Sequence, residues 1–203
     1  MKNLFSVNDF AAMDACLDML RQKNDAVLLL PTETVYGLVC RFDSASGKEQ
    51  IYTLKKRPKN KQLATFVPDL QTVRKLVWNI PVTAEIFAEK FCPGPLTLVI
   101  PDQENSTFGF RIPDHPFLLT LLQKFDQPLS STSANLSGTP AALSVQQALN
   151  TLAGLPDLII DGGEIASDSQ ASTVVQVFAD NSWKILREGI ITEQDLQKAL
   201  LQN

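Results

Sequence analysis

The chain has 203 residues, 44% hydrophobic and 20% charged, enough for a sizeable core in one globular domain. A net charge of -4 and a pI of about 5.0 give no general attraction to nucleic acid. Three scattered cysteines, one histidine (His115) and no Cys-x-x-Cys pair argue against a protein-built zinc site, and no apolar stretch approaches the roughly 20 residues of a membrane span. The sparse, odd cysteine count without a signal peptide points to a reducing cytoplasm.

Ser6 to Asp9 resembles a capping box, and Phe10, Met13, Leu17 and Leu20 follow at helical spacing. Ala26 to Leu30 reads as a buried strand. Residues 31–38, Pro-Thr-Glu-Thr-Val-Tyr-Gly-Leu, leave its end with two alternate hydroxyls, Thr32 and Thr34, where open α/β sheets place ligand groups. Ser46-x-x-Glu49 predicts a capped helix through Ile51 and Leu54 that stops near Pro58. Lys55, Lys56 and Arg57 then fall in its last turn, where the helix dipole favours cations. Leu63 to Val67 predicts a strand, and 69–78 and 82–91 two amphipathic helices. Cys92-Pro-Gly-Pro95 is a rigid turn into a strand at Leu96 to Ile100. Thr107 to Ile112 predicts a strand, Pro116 to Phe125 a helix, and Pro128 to Ser131 a short strand. Ser144 to Leu152 reads as helix. Strands follow at Asp157 to Ile160, Ser172 to Phe178 and Trp183 to Leu186, and Thr192-x-x-Asp195 caps a last helix. Helices and strands that mix without strict alternation predict an α/β fold, a twisted mixed β-sheet with packed helices, and not a regular Rossmann fold.

Residues 55–61, Lys-Lys-Arg-Pro-Lys-Asn-Lys, hold five of the 18 Lys and Arg, which suits a specific anion on an acidic protein. Lys55-x-Arg57 is open to two readings, a solvated helix end or a phosphate clamp in which Arg supplies a planar fork and Lys a movable charge. Ser130-Ser-Thr-Ser-Ala-Asn-Leu-Ser-Gly138 holds more hydroxyls than a turn needs and is read as a ligand site. It carries no Gly-x-Ser-x-Gly, and one histidine would have to serve as base, so hydrolase chemistry is weakly supported. Arg111 at a strand end is a candidate for a carboxylate. His115 is read as packed or capping the next helix.

Taken together and in order, Pro31-Thr-Glu-Thr-Val-Tyr-Gly-Leu38, Leu54-Lys-x-Arg-Pro58, Pro93-Gly-Pro-Leu-Thr97, Arg111-Ile-Pro-Asp-His-Pro116, Ser131-Thr-Ser-Ala-Asn-x-Ser-Gly138, Ser172-Thr-Val-Val175 and Arg187-x-Gly189 form a recognisable set. Across its whole length the chain resembles the YrdC/TsaC-type threonylcarbamoyl-AMP synthases. One YrdC-like domain is expected over 1–203, like the short bacterial form, with an open cleft for nucleotide and amino acid. The resemblance implies that L-threonine, bicarbonate and ATP give threonylcarbamoyl-adenylate and pyrophosphate, for modification of adenosine 37 in tRNA. ATP is then a substrate, with Mg2+ held by its phosphates. Downstream threonylcarbamoyl transferase machinery and tRNA are the implied partners.

The family's Lys-x-Arg and Ser-x-Asn groups fall on Lys55, Arg57, Ser133 and Asn135 as catalytic residues. Its threonine contacts fall on Thr34, Arg111, Ser131 and Ser172, with Thr32 beside them. Its nucleotide contacts fall on Arg57, Lys61, Thr107, Ser133 and Arg187. Phe66 stands where many relatives carry a histidine that helps hold the amino acid, and Lys61 where many have asparagine. Two competitors are a carbamoyl-adenylate-handling domain, normally part of a much larger chain, and an RNA-binding module, which the acidic pI and few aromatics disfavour.

Overall fold

A computed structural model of the chain describes residues 3–102 and 106–202. In chain order the elements are β1 (Leu4–Ser6), α1 (Ala12–Gln22), β2 (Leu28–Leu30), β3 (Gly37–Arg41), α2 (Ala45–Lys55), β4 (Ala64–Phe66), α3 (Leu70–Leu76), α4 (Val82–Phe91), β5 (Leu96–Pro101), β6 (Thr107–Arg111), α5 (Pro116–Phe125), β7 (Leu129–Ser133), α6 (Val145–Thr151), β8 (Leu158–Asp161), β9 (Thr173–Val177), β10 (Trp183–Arg187) and α7 (Glu193–Leu201). The strands form one sheet in the order β1-β8-β2-β3-β7-β4-β6-β5-β9-β10. β1–β8, β8–β2, β4–β6 and β5–β9 are parallel, and the other neighbours antiparallel. The predicted mixed sheet is therefore what the chain builds.

Burial follows the two-residue period of the strands. Leu28 and Leu30 of β2 pack with Leu17 and Leu20 of α1 and Leu118, Leu121 and Leu122 of α5. Val27 and Leu29 point the other way, to Ile51 of α2 and Val145 and Ala148 of α6. Strand β2 has helices on both faces, which is why its sequence is uniformly apolar. A third cluster joins Leu96, Leu98, Phe110 and Val175 of the sheet to Val73 of α3, Phe87 of α4 and Leu196 of α7.

Three local expectations need correction, and of the two readings of His115, packed or capping, the packed one holds. The Ser6–Asp9 contact exists, with the Ser6 N–H 2.7 Å from Asp9 Oδ2, but it closes the turn after β1, a strand the sequence reading lacked. Helix α1 opens later, after Ala11, without a side-chain cap. The cap of α2 is Ser44 and not Ser46: Ser44 has extended φ/ψ and its Oγ accepts the Gly47 N–H at 2.8 Å, whereas Ser46 already lies inside the first turn. The segment read as a loop up to Leu38 turns into β3 at Gly37, where the apolar run Leu38-Val39-Cys40 continues the sheet. His115 precedes α5 but its side chain makes no cap bond, and its Nδ1 is buried without a partner among the described residues. The caps at Ser144 and Thr192 are as expected, the latter a complete capping box with Asp195.

The end of α2 aims the basic segment. Lys56 sits in the left-handed region at φ 46°, Arg57 N–H bonds Tyr52 O at 2.9 Å, and Lys56 N–H bonds Thr53 O at 3.2 Å. This paired closure reverses the chain within one residue. It sends Arg57 back toward the sheet while Lys56 stays in solvent.

Candidate active site

Cross-strand register assembles a cavity on one face of the sheet. Ala64 lies opposite Ser131, Phe66 opposite Arg111, Val99 opposite Gly109, and Thr97 opposite Val174. Directly paired residues project to the same face, so these four pairs form a continuous floor. Small residues at Ala64 and Gly109 leave a hollow of about 260 Å³, closed at its edges by Thr34, Arg57, Ser133, Ser172 and Arg187. Seven of the candidate site residues line it, Thr34, Arg57, Arg111, Ser131, Ser133, Ser172 and Arg187, and so does Phe66.

Three guanidinium groups converge there, each tied down by backbone carbonyls. Arg57 donates through Nε to Lys61 O (3.1 Å) and through Nη2 to Gln62 O (2.9 Å). Arg187 grips the Ser172 carbonyl through Nε (3.1 Å) and Nη2 (2.8 Å), and Nη2 also meets Ser172 Oγ at 3.1 Å. Arg111, 5% exposed, donates through Nε to Gly94 O (3.1 Å) and through Nη2 to Glu33 Oε1 (2.7 Å) and Thr34 Oγ1 (3.1 Å). Burial lowers the pKa of both Arg57 and Arg187, and for Arg187 the nearby charges of Arg111 and then Arg57 lower it further. Arginine cannot give up its proton in this range, so the crowding is a standing repulsion that a bound anion relieves.

The hydroxyls are ordered with equal care. Thr32 Oγ1 lies 2.7 Å from Val35 O; a carbonyl only accepts, so the Thr32 proton lies there. Thr34 Oγ1, 3.0 Å away, then donates to Thr32 and accepts from Arg111. Thr32 thus spends its hydroxyl inside the turn and does not line the cavity, while Thr34 does. Ser172 Oγ pairs with Thr97 Oγ1 at 2.9 Å, and Ser131 Oγ donates to Ala64 O at 3.3 Å. Ser133 Oγ has no protein partner among the described residues.

Lys55, Asn135, Lys61 and Thr107 are not brought into the lining. Lys55 is 1% exposed, and its ammonium donates to Ser133 O, to Asn135 O (2.6 Å) and to Asn135 Oδ1 (3.3 Å). Asn135 Nδ2 completes the knot on Leu136 O and Thr139 O. The two residues therefore hold the loop after β7 and touch the cavity only through Ser133. Lys61 is exposed and offers its carbonyl to Arg57. Thr107 donates to Gln62 Oε1 at 3.2 Å and lines a second hollow with Phe42, Tyr52 and Phe108 that shares Gln62, Leu63 and Gly109 with the first.

Burial, with Arg57 second, pushes Lys55 down to about 7, against the three oxygens that favour its charged form. Lys55→Met should destabilise the protein by about 3 kcal/mol, since three acceptors lose their donor at once. Denaturant melts check this. The unfolded chain keeps the proton up to the ordinary lysine value of 10.5, while the folded state releases it near 7. The gap between parent and variant should therefore widen as pH rises through that window.

Sequence reading missed two residues of the site. Glu33 was quoted within its motif without a role, yet it makes the ion pair with Arg111, 78 residues away. Thr97 interrupts the apolar run Leu96-Thr-Leu-Val-Ile100, and a lone hydroxyl in a buried strand was the available signal.

A family model described as Sua5/YciO/YrdC, telomere recombination, matches residues 21–189. The chain belongs to the Sua5/YciO/YrdC family. A threonylcarbamoyl-AMP synthase of Bacillus subtilis is 31% identical over 188 residues, 88% of this chain and 54% of that one. Another, from Psychromonas ingrahamii, is 33% identical over 178 residues, 81% of this chain and 91% of its own. The first two curated relatives are longer, the chain spanning 54% and 64% of their lengths. Among solved structures, P. abyssi Sua5 complexed with L-threonine superposes with a TM-score of 0.87 at 28% identity, covering 97% of this chain and 60% of that one. The Sua5/YciO/YrdC fold is thus present over nearly the whole chain.

Proposed function

We propose that the chain is one YrdC-like domain over residues 1–203 that makes threonylcarbamoyl-AMP and pyrophosphate from L-threonine, bicarbonate and ATP, for tRNA modification in the cytoplasm. The observation that carries this reading is the convergence of Arg57, Arg111 and Arg187 on one hydroxyl-lined cavity. An amino acid carboxylate and a polyphosphate together need that much positive charge, and a neutral substrate would not. The L-threonine bound to P. abyssi Sua5, a family member of the same fold, supports the amino acid half.

In this reading the free Nη1 edge of Arg111 takes the threonine carboxylate, with Thr34, Ser131 and Ser172 about the rest of the amino acid. Arg57 and Arg187 take phosphate oxygens, with Ser133 beside them and Lys61 and Thr107 toward the nucleoside. Lys55 and Asn135 act at one remove, by fixing the loop that presents Ser133. The threonine amine adds to the carbon of bicarbonate, water leaves, and a carbamate forms. A carbamate oxygen then attacks the α-phosphorus, and the bond to the β-phosphate oxygen breaks to release pyrophosphate. Alignment and charge neutralisation lower that barrier, and no strong protein base is required. The cavity offers guanidinium and hydroxyl donors, a set that suits phosphate oxygens and not a bare divalent cation, so Mg2+ would arrive on the ATP phosphates. The product then passes to the transferase machinery that modifies tRNA.

The test is pyrophosphate release from ATP with each co-substrate omitted. Release should require both L-threonine and bicarbonate. Equal release without threonine would sink the assignment.

A further inference from the structure

Glu33 places the only carboxylate paired with a cavity guanidinium among the described residues. Its exposure is 18% and that of Arg111 6%, so the pair sits largely out of water. Oε1 accepts from Arg111 Nη2 at 2.7 Å and from the Asp114 N–H at 2.9 Å. Oε2 is buried and has no partner among the described residues. A carboxylate half-satisfied in this way costs stability. Structural needs alone would favour a neutral side chain here.

We propose that Glu33 is a positioning residue that sets the hydrogen-bond polarity of the amino-acid half of the cavity, an inference that rests on the threonine reading above. Glu33 and Gly94 O between them hold Nη2 and Nε of Arg111. That leaves only the Nη1 edge for a ligand carboxylate. Held there, Arg111 donates its second Nη2 hydrogen to Thr34 Oγ1, and the Thr34 proton takes the 3.0 Å contact to Thr32 Oγ1, beside the Thr34 and Val35 N–H groups that Thr32 also accepts. Thr34 is then an acceptor alone. A ligand beside it must bring a donor, the ammonium or hydroxyl of an amino acid, while its carboxylate meets Nη1. Without Glu33 the guanidinium is free to rotate, Thr34 can present its proton instead, and the selection is lost. The carboxylate pairs with Arg111 and touches neither Arg57 nor Arg187, so its removal leaves the phosphate contacts in place.

Steady-state kinetics and threonine calorimetry on the parent, Glu33→Gln and Glu33→Ala test this, with thermal melts as a folding control. Glu33→Ala should raise the KM for threonine about tenfold or more, with the KM for ATP within about twofold, the scale of losing a charged hydrogen bond. Its preference for threonine over valine should fall as well. Glu33→Gln keeps an acceptor for Arg111 and should recover part of the loss; if Glu33→Ala fails to fold, this variant carries the test with a smaller rise in threonine KM. An unchanged threonine KM, or equal rises in both KM values, would overturn the inference. A parent that binds no threonine would bring down the functional reading and this inference with it. A parent that binds threonine alongside variants that bind it equally well would overturn the inference alone.

Discussion

Valine should be used about 10⁴-fold less efficiently than threonine, although the two side chains have nearly the same shape. The cavity wall around Arg111 is hydroxyl on three sides, Thr34, Ser131 and Ser172, with Thr97 behind Ser172. Their internal bonds fix which way each oxygen faces. A methyl group in place of the threonine hydroxyl would strip water from those oxygens and return nothing. A purely apolar pocket could not discriminate to this degree, because one group of equal volume is worth little there. Serine keeps the hydroxyl but loses the methyl that would lie against Val35, Phe66 and Val99, and should be a poor but detectable substrate. Parallel measurement of kcat/KM for the three amino acids decides the matter. Comparable values for valine and threonine would mean that the hydroxyls face something other than the substrate side chain.

Arg57→Lys should lose about a hundredfold or more in turnover, close to 3 kcal/mol of transition-state stabilisation, although the charge is kept. Arg57 uses Nε and one Nη2 hydrogen to tie down Lys61 O and Gln62 O. The rest of its planar fork faces the cavity. A lysine has three donors about one point and cannot hold both carbonyls and a phosphate at once. Lys56→Ala is the matched control. Lys56 is exposed at the left-handed position that ends α2, and alanine carries the same Cβ there, so turnover should stay near the parent value. Turnover of both variants, with melts to confirm folding, separates the outcomes. Near-parental activity in Arg57→Lys would reduce the cluster to a generic positive patch. A large loss in Lys56→Ala would put the functional face on the other side of the helix end.

The helices were legible from apolar periodicity, two of them to the residue. Helices α4 and α5 run Val82–Phe91 and Pro116–Phe125, the spans that their apolar spacing predicts. Ser131 and Ser133 share one face because strand geometry leaves them no alternative. What escaped was set by distance in sequence or by context. Strand β3 was hidden because its first residue, Gly37, reads as punctuation, although the strand pairs with its chain neighbour β2 as well as with distant β7. Lys55 stood between a solvated helix end and a phosphate clamp, and the chain does neither with it: the reversal at Lys56 buries it under the loop of Ser133 and Asn135. The role of Glu33 depends on Arg111 and on nothing local. Arg111 was legible as a candidate for a carboxylate, but not the tertiary contacts that occupy its Nε and Nη2.

The central claim is that threonine, the carbon of bicarbonate and the adenylyl group of ATP meet in this one cavity. The most direct measurement is the composition of the product formed with labelled bicarbonate, threonine and ATP, isolated before it hydrolyses. The account predicts an acid-labile adenylate that contains threonine and carries the bicarbonate label, formed in step with pyrophosphate. A threonyl-adenylate without the label, or an adenylate formed without threonine, would contradict it.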